Sequence, residues 1–241
     1  MNVGDLFSDL SFGELRNLSL AGSGNGSIDE EDKPRVVYYA RRALTRLFSR
    51  FVVKRMFIYL VQSAERQTYA ITPAHTEYNP DPDNTEERYL LGSAEDPFVD
   101  DLIKVLSARI VPCDEFPDGL DLILNGVSDG ISAKLLSHNK ITFDEPVAGR
   151  TIRLELQLDH AKLPLPVDED ALIEIPPILV EALHVKIAAG IYSSMSGEEQ
   201  ANKSTALEMQ FEGLCGLIDV KDLTQGSLID DAGSIRKWGF K

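Results

Sequence analysis

The chain has 241 residues, 43% hydrophobic and 26% charged, apolar enough to bury a substantial core and too apolar for a disordered protein. Its 24 Lys and Arg against 39 Asp and Glu leave a formal charge of −15, which argues against a nucleic-acid binder that gains affinity by neutralising phosphates. A solubility role fits that charge, and so does an acidic wall that DNA merely passes.

The two cysteines, Cys113 and Cys215, form no Cys-x-x-Cys pair, which excludes a zinc ribbon or thioredoxin-type motif and points to free thiols in a reducing cytoplasm. The N-terminal MNVGDLFSDLSFGEL lacks a basic n-region, so no signal peptide is expected. No run of eighteen apolar residues predicts a membrane span.

In chain order, Val3, Leu6, Phe7, Leu10, Leu15 and Leu18 predict a first helix over 3–18. AGSGNGS at 21–27 then reads as a flexible loop, and Pro34 fits a first helical turn. Over 34–51, Val36, Val37, Ala40, Leu44, Leu47, Phe48 and Phe51 follow one helical face, while Arg35, Arg42, Arg46 and Arg50 follow another. That arginine stripe is the concentrated basic surface of the first half.

After Lys54 the period changes. MFIYLVQ at 56–62 and QTYAI at 67–71 predict a hairpin around Ala64 and Glu65. HTEYNPDPDNTEE at 75–87 reads as an exposed acidic loop, and DPFVDDLIKVLSARI as either a helical turn or a strand. RYLLG, DLILNG, ISAKLLSH, KITFDEP and TIRLELQLDH are strand-like. Together they suggest six to eight short strands in a β-sandwich or small barrel.

Helix returns at Pro176-Pro177 with a wide apolar face through Tyr192, breaks at Gly197, and resumes with Ala201, Leu207, Phe211, Leu214 and Ile218. The expected fold is therefore α+β. A helical bundle of 3–18, 34–51, 177–196 and 198–219 spans residues 1–53 plus 173–221. Residues 54–172 form an inserted β-rich subdomain, and 222–241 an extended C-terminal tail.

Chemistry is scarce. Gly22, Gly24 and Gly26 follow a helix rather than a strand and lack a Gly-Lys-Ser/Thr step, so they read as a hinge and not a phosphate cradle. Of the four histidines, His75, His138, His160 and His184, none is spaced from another as metal ligands are. The pair Asp159-His160 has the composition of an oriented base, but no nucleophile motif accompanies it. Asp81, Asp83, Glu86 and Glu87 lack the turn glycine of a calcium loop. Asp168, Glu169 and Asp170 read as dipole-compensating carboxylates before a helix. No catalytic, metal or cofactor residue is assigned.

Two features remain: the arginine stripe, read as a subunit interface, and the terminal Arg236, Lys237, Trp238 and Phe240, read as a partner-docking peptide. With the stretches FGELRNL (12–18), YYARRALTRLFSRF (38–51), LELQLDHAKLP (154–164), PPILVEALHVKIAAGIY (176–192) and ALEMQFEGLCGLI (206–218), the chain resembles the head-to-tail adaptor (connector or neck) proteins of tailed bacteriophages. That resemblance implies a non-catalytic virion protein made in the host cytoplasm. It implies a homo-oligomeric, dodecameric ring beneath the portal protein, contacting tail or nozzle proteins, with packaged DNA in its channel. Rival readings are another virion component, or an enzyme using His160 and the 75–87 loop.

Overall fold

A computed structural model describes residues 1–18, 27–79, 81, 83–126 and 131–221. The chain divides into two compact units, Lys54–Asp159 and the remainder on either side of it.

Among its described residues the first unit, Met1–Val53 with His160–Lys241, holds four helices: α1 (Val3–Phe12), α2 (Lys33–Arg50), α3 (Pro177–Ser193) and α4 (Glu198–Lys221). Asn2 caps α1, its side chain accepting from the Asp5 amide while the Asp5 carboxylate accepts from the Asn2 amide. That helix stops at Gly13, six residues short of the span expected from its leucines, and Leu15 packs into the core from the turns that follow. Pro34 lies in the first turn of α2 and Pro177 opens α3, where a missing amide donor costs nothing.

Helix α3 is mostly buried: Leu179, Leu183, Val185, Ile187, Ala188 and Ile191 are all inaccessible, while Ile178 and Glu181 reach solvent. A helix so widely apolar must be largely enclosed. Here α1, α2 and α4 each pack against it. The Ser204 hydroxyl of α4 donates to the Ala189 carbonyl of α3 inside that contact.

Among its described residues the second unit forms one curled sheet of eight strands: β1 (Lys54–Val61), β2 (Thr68–Ala70), β3 (Leu90–Leu91), β4 (Leu102–Ile110), β5 (Leu120–Leu124), β6 (Ser132–Ser137), β7 (Lys140–Phe143) and β8 (Thr151–Leu158). Their order is β2-β7-β6-β5-β4-β8-β1-β3, with β5–β6 parallel and the other named pairs antiparallel. Met56, Ile58 and Leu60 of β1 lie opposite Leu156, Leu154 and Ile152 of β8 and, with Ala108 and Ile110 of β4, form the core face. The solvent face carries Phe57, Tyr59 and Arg153, with the Arg153 guanidinium 5.2 Å from the Phe57 ring centre.

This architecture corrects the expected fold class. The protein is not a helical bundle with a small inserted subdomain: a mixed half-barrel sheet dominates, and helices make up only 34%. Of the sandwich and small barrel expected for the strands, neither forms: they make one continuous half-barrel sheet. Nor do β1 and β2 make a hairpin, since β2 pairs with β7 while β1 lies between β8 and β3. The reason is ladder length. β1 and β8 align over their full spans with apolar partners opposed, and those cross-strand pairs outweigh a short local hairpin. Of the ambiguous 96–110 segment, Leu102–Ile110 is strand β4, and 96–101 is neither helix nor strand.

Candidate functional site

The arginine stripe lies on α2 as its spacing requires, but its four members do different things. Arg35 donates to the Ser194 hydroxyl at 2.6 Å and lies 3.8 Å from Asp32. Arg50, at the other end, grips α4: Nη2 and Nε meet Asp219 at 2.8 and 3.1 Å, and Nη1 meets Glu212 at 2.6 Å. That contact holds the Glu212 carboxyl below the usual carboxylate range. Both ends of the stripe thus fasten α2 within its own unit.

The middle of the stripe faces solvent. Arg42 lies 5.7 Å from the Tyr38 ring centre, and Arg46 reaches Glu212 only at 3.7 Å. Both line an open groove of about 340 Å³ with Tyr39, Lys186, Gly190 and Glu208. Lys186 is matched by Glu208 through contacts of 2.6 and 2.7 Å. The surplus charge of the groove therefore comes from Arg42 and Arg46, which suits a carboxylate-bearing partner. Two further cations of α2 escaped the sequence reading. Arg41 donates to the Leu163 carbonyl, and Lys33 bridges Glu30 and Glu169, the latter at 2.5 Å. Glu169 with Asp168 and Asp170 precedes α3 by several residues, so the dipole explanation for them is replaced, for Glu169, by this tie to α2.

His160 bonds backbone groups through both ring nitrogens. Its Nε2 accepts the Glu174 amide at 3.1 Å, which places the proton on Nδ1, and Nδ1 donates to the Ala161 carbonyl. Its ring stands edge-on to Phe48 with centres 5.5 Å apart. His184 is partly buried on α3, with Nε2 3.9 Å from the Asp9 carboxylate. In the sheet unit, His75 stacks on Tyr89 at 4.5 Å and bonds the Glu87 carbonyl, while Arg66 lies 4.9 Å over the same ring and pairs with Glu87 at 2.8 Å. His75, Tyr89, Arg66 and Lys140 border a shallow cleft of about 270 Å³. His160 and the 75–87 loop belong to different units. Among the described residues no three His, Cys, Asp or Glu side chains converge on a metal site.

Gly22, Gly24 and Gly26, and the tail residues Arg236, Lys237, Trp238 and Phe240, lie outside the described residues. No family model matches the chain, and no curated protein matches it.

Among the described residues no helix is long and apolar enough to cross a membrane. One surface feature was overlooked in the sequence. Beyond the side facing α3, helix α4 presents Met209, Leu217 and Val220 to solvent. The signal was there: three large apolar residues off the core-facing stripe, at helical spacing from one another.

Proposed function

We propose that this chain is a non-catalytic virion protein, an adaptor that assembles as a ring between portal and tail with DNA passing through its channel. The observation that carries the reading is the open groove on α2. In a chain of formal charge −15 it places Arg42 and Arg46 side by side at the surface, while Arg35 and Arg50 hold their helix rigid beneath them. A rigid cationic groove on an acidic protein suits a carboxylate-rich protein surface, either an identical neighbour or the portal. Support also comes from the resemblance of five stretches of the chain to phage neck adaptors, and from His160, whose two ring nitrogens are both spent on backbone groups.

The tail completes the proposal. Trp238 and Phe240 lie within a few residues of Arg236 and Lys237 in the sequence, the residue types that dominate interface energies, and serve as the docking peptide. The test is native mass spectrometry of the purified chain with a candidate portal protein. Wild type should form a discrete ring on the portal. Arg42→Glu with Arg46→Glu should weaken that assembly and steepen its salt dependence, and deletion of 235–241 should abolish stable docking while leaving the circular dichroism unchanged. Wild-type occupancy for both variants would refute the reading.

A further inference from the structure

The cleft of about 270 Å³ on the sheet unit is basic where the chain as a whole is acidic. Among the described residues six border it: Arg66, Thr68, Ala70, His75, Tyr89 and Lys140. Three of the six are basic types and none is acidic, although the sequence has 39 Asp and Glu against 24 Lys and Arg. The β2–β7 ladder sets out one wall. Thr68 lies opposite Thr142 and Ala70 opposite Lys140, while the buried pair Tyr69 and Ile141 between them takes the other face of the sheet.

We propose that this cleft binds a phosphate ion, with Lys140 and Arg66 meeting its charge and His75 its proton.

The polar groups are held in place before any ion arrives, and Tyr89 is the anchor. Its hydroxyl accepts from the Ala70 amide and donates to the Ala70 carbonyl, both at 3.0 Å, and the residue is 5% exposed. His75 stacks on that ring with centres 4.5 Å apart, and the Arg66 guanidinium lies 4.9 Å from its centre. Arg66 Nη2 also meets Glu87 at 2.8 Å. The guanidinium fork is thus fixed, and with five N–H donors it has some to spare. A site ordered in advance loses less freedom when it binds.

Lys140 supplies the uncompensated charge. Among the described residues no carboxylate lies within ion-pair distance of its ammonium. Lys134, on the adjacent strand β6, is by contrast matched by Asp144 at 2.8 Å.

His75 chooses between ions. Its Nδ1 donates to the Glu87 carbonyl at 3.0 Å, since a carbonyl oxygen can only accept. The available ring nitrogen is then Nε2, which in a neutral imidazole is an acceptor and disfavours an oxygen without a proton. Phosphate near neutral pH keeps a proton that it can donate there. Sulfate, of the same shape, has none to give.

The cleft lies in the sheet unit and the Arg42–Arg46 groove in the other, so this inference does not rest on the adaptor reading. Its test is isothermal titration calorimetry of the full-length protein at pH 8, above the ordinary range of imidazole, with phosphate and sulfate at matched ionic strength. Wild type should bind phosphate saturably, one ion per chain, and sulfate at least about tenfold more weakly. Lys140→Gln should weaken phosphate at least about tenfold, because a charge-assisted hydrogen bond is lost. Lys134→Gln makes the same change in net charge and should bind as wild type does. Both lysines are exposed, so circular dichroism should not change. His75→Phe keeps a ring against Tyr89, removes the acceptor, and should erase the preference for phosphate over sulfate. Absence of saturable phosphate binding would overturn the inference. So would equal affinity for sulfate in wild type, a loss in Lys134→Gln as large as in Lys140→Gln, or a preference that survives His75→Phe. Displacement of the ion by duplex DNA at equal phosphate concentration would overturn its assignment to a small free anion.

Discussion

Replacing Gly190 by alanine tests how closely α2 and α3 approach. A Cβ at this position would stand 2.5 Å from Cδ1 of the Tyr39 ring, 3.1 Å from Cε1 and 3.2 Å from Cγ. Three atoms of one rigid ring are involved, so no rotation of a flexible end relieves the contact. Either Tyr39 leaves its place against Tyr38, where the rings meet edge-on at 5.2 Å, or the helices separate. Overpacking of this kind costs about 1–3 kcal/mol, while alanine in place of glycine in a helix returns about 1 kcal/mol. The expected net effect is a loss of about 1 kcal/mol. Gly213 serves as the internal control, because its Cβ meets nothing and Gly213→Ala should gain up to about 1 kcal/mol. Urea unfolding at low protein concentration, followed by circular dichroism, should therefore separate the two variants by about 2 kcal/mol. Adding Tyr39→Ala to Gly190→Ala should remove the steric part of the loss. Equal responses at the two glycines would refute the close approach of α2 and α3, and with it the shape of the groove that Tyr39 and Gly190 border.

Other expectations follow from buried and paired groups. Burial raises the Asp101 carboxyl above its ordinary value, with Lys54 at 3.2 Å pulling only partly the other way. The folded state thus binds this proton more tightly than the unfolded state, so ionisation above the folded pKa costs stability, and the cost disappears as pH falls below the unfolded value. Asp101→Asn should match or exceed wild type in melting temperature at neutral pH and lose that advantage in acid, whereas a variant less stable at neutral pH would contradict the assignment. His160→Ala strands the Glu174 amide and the Ala161 carbonyl and should cost about 1–3 kcal/mol in denaturant unfolding. Arg50→Gln releases Glu212 and Asp219; because these side chains are partly exposed, a loss of about 0.5–1 kcal/mol is expected, shrinking as salt is added. Burial pushes the Cys215 thiol up to about 11, while Cys113 is exposed. Iodoacetamide at neutral pH should label Cys113 and spare Cys215 until the protein is unfolded, as read by intact mass.

Helix existence was legible in the sequence because it is local. The 3.6-residue period of Val36, Val37, Ala40, Leu44 and Leu47, the proline at the first turn and the glycine at the break each act within a few residues, and α2, α3 and α4 lie where those signals put them. The end of α1 was misjudged, since Leu15 keeps the apolar rhythm while packing from a turn after Gly13. Strand identity was legible too, through alternation in stretches such as Met56, Ile58 and Leu60. Strand partnership was not. Nothing between Val61 and Thr68 says that β2 must cross to the far edge to join β7, because that choice is made by β8, some ninety residues on, which claims β1 along its whole length. A period of two tells which face a residue takes but not which strand lies alongside, and so the choice between a sandwich and a small barrel stayed open until the strands paired as one half-barrel sheet. The same division holds at the surface. Sequence alone placed Arg35, Arg42, Arg46 and Arg50 on one helical face. Only tertiary structure sorted them into two that fasten helices and two that border an open groove, because a charge is spent or free according to whether folding brings a carboxylate such as Asp219 within reach.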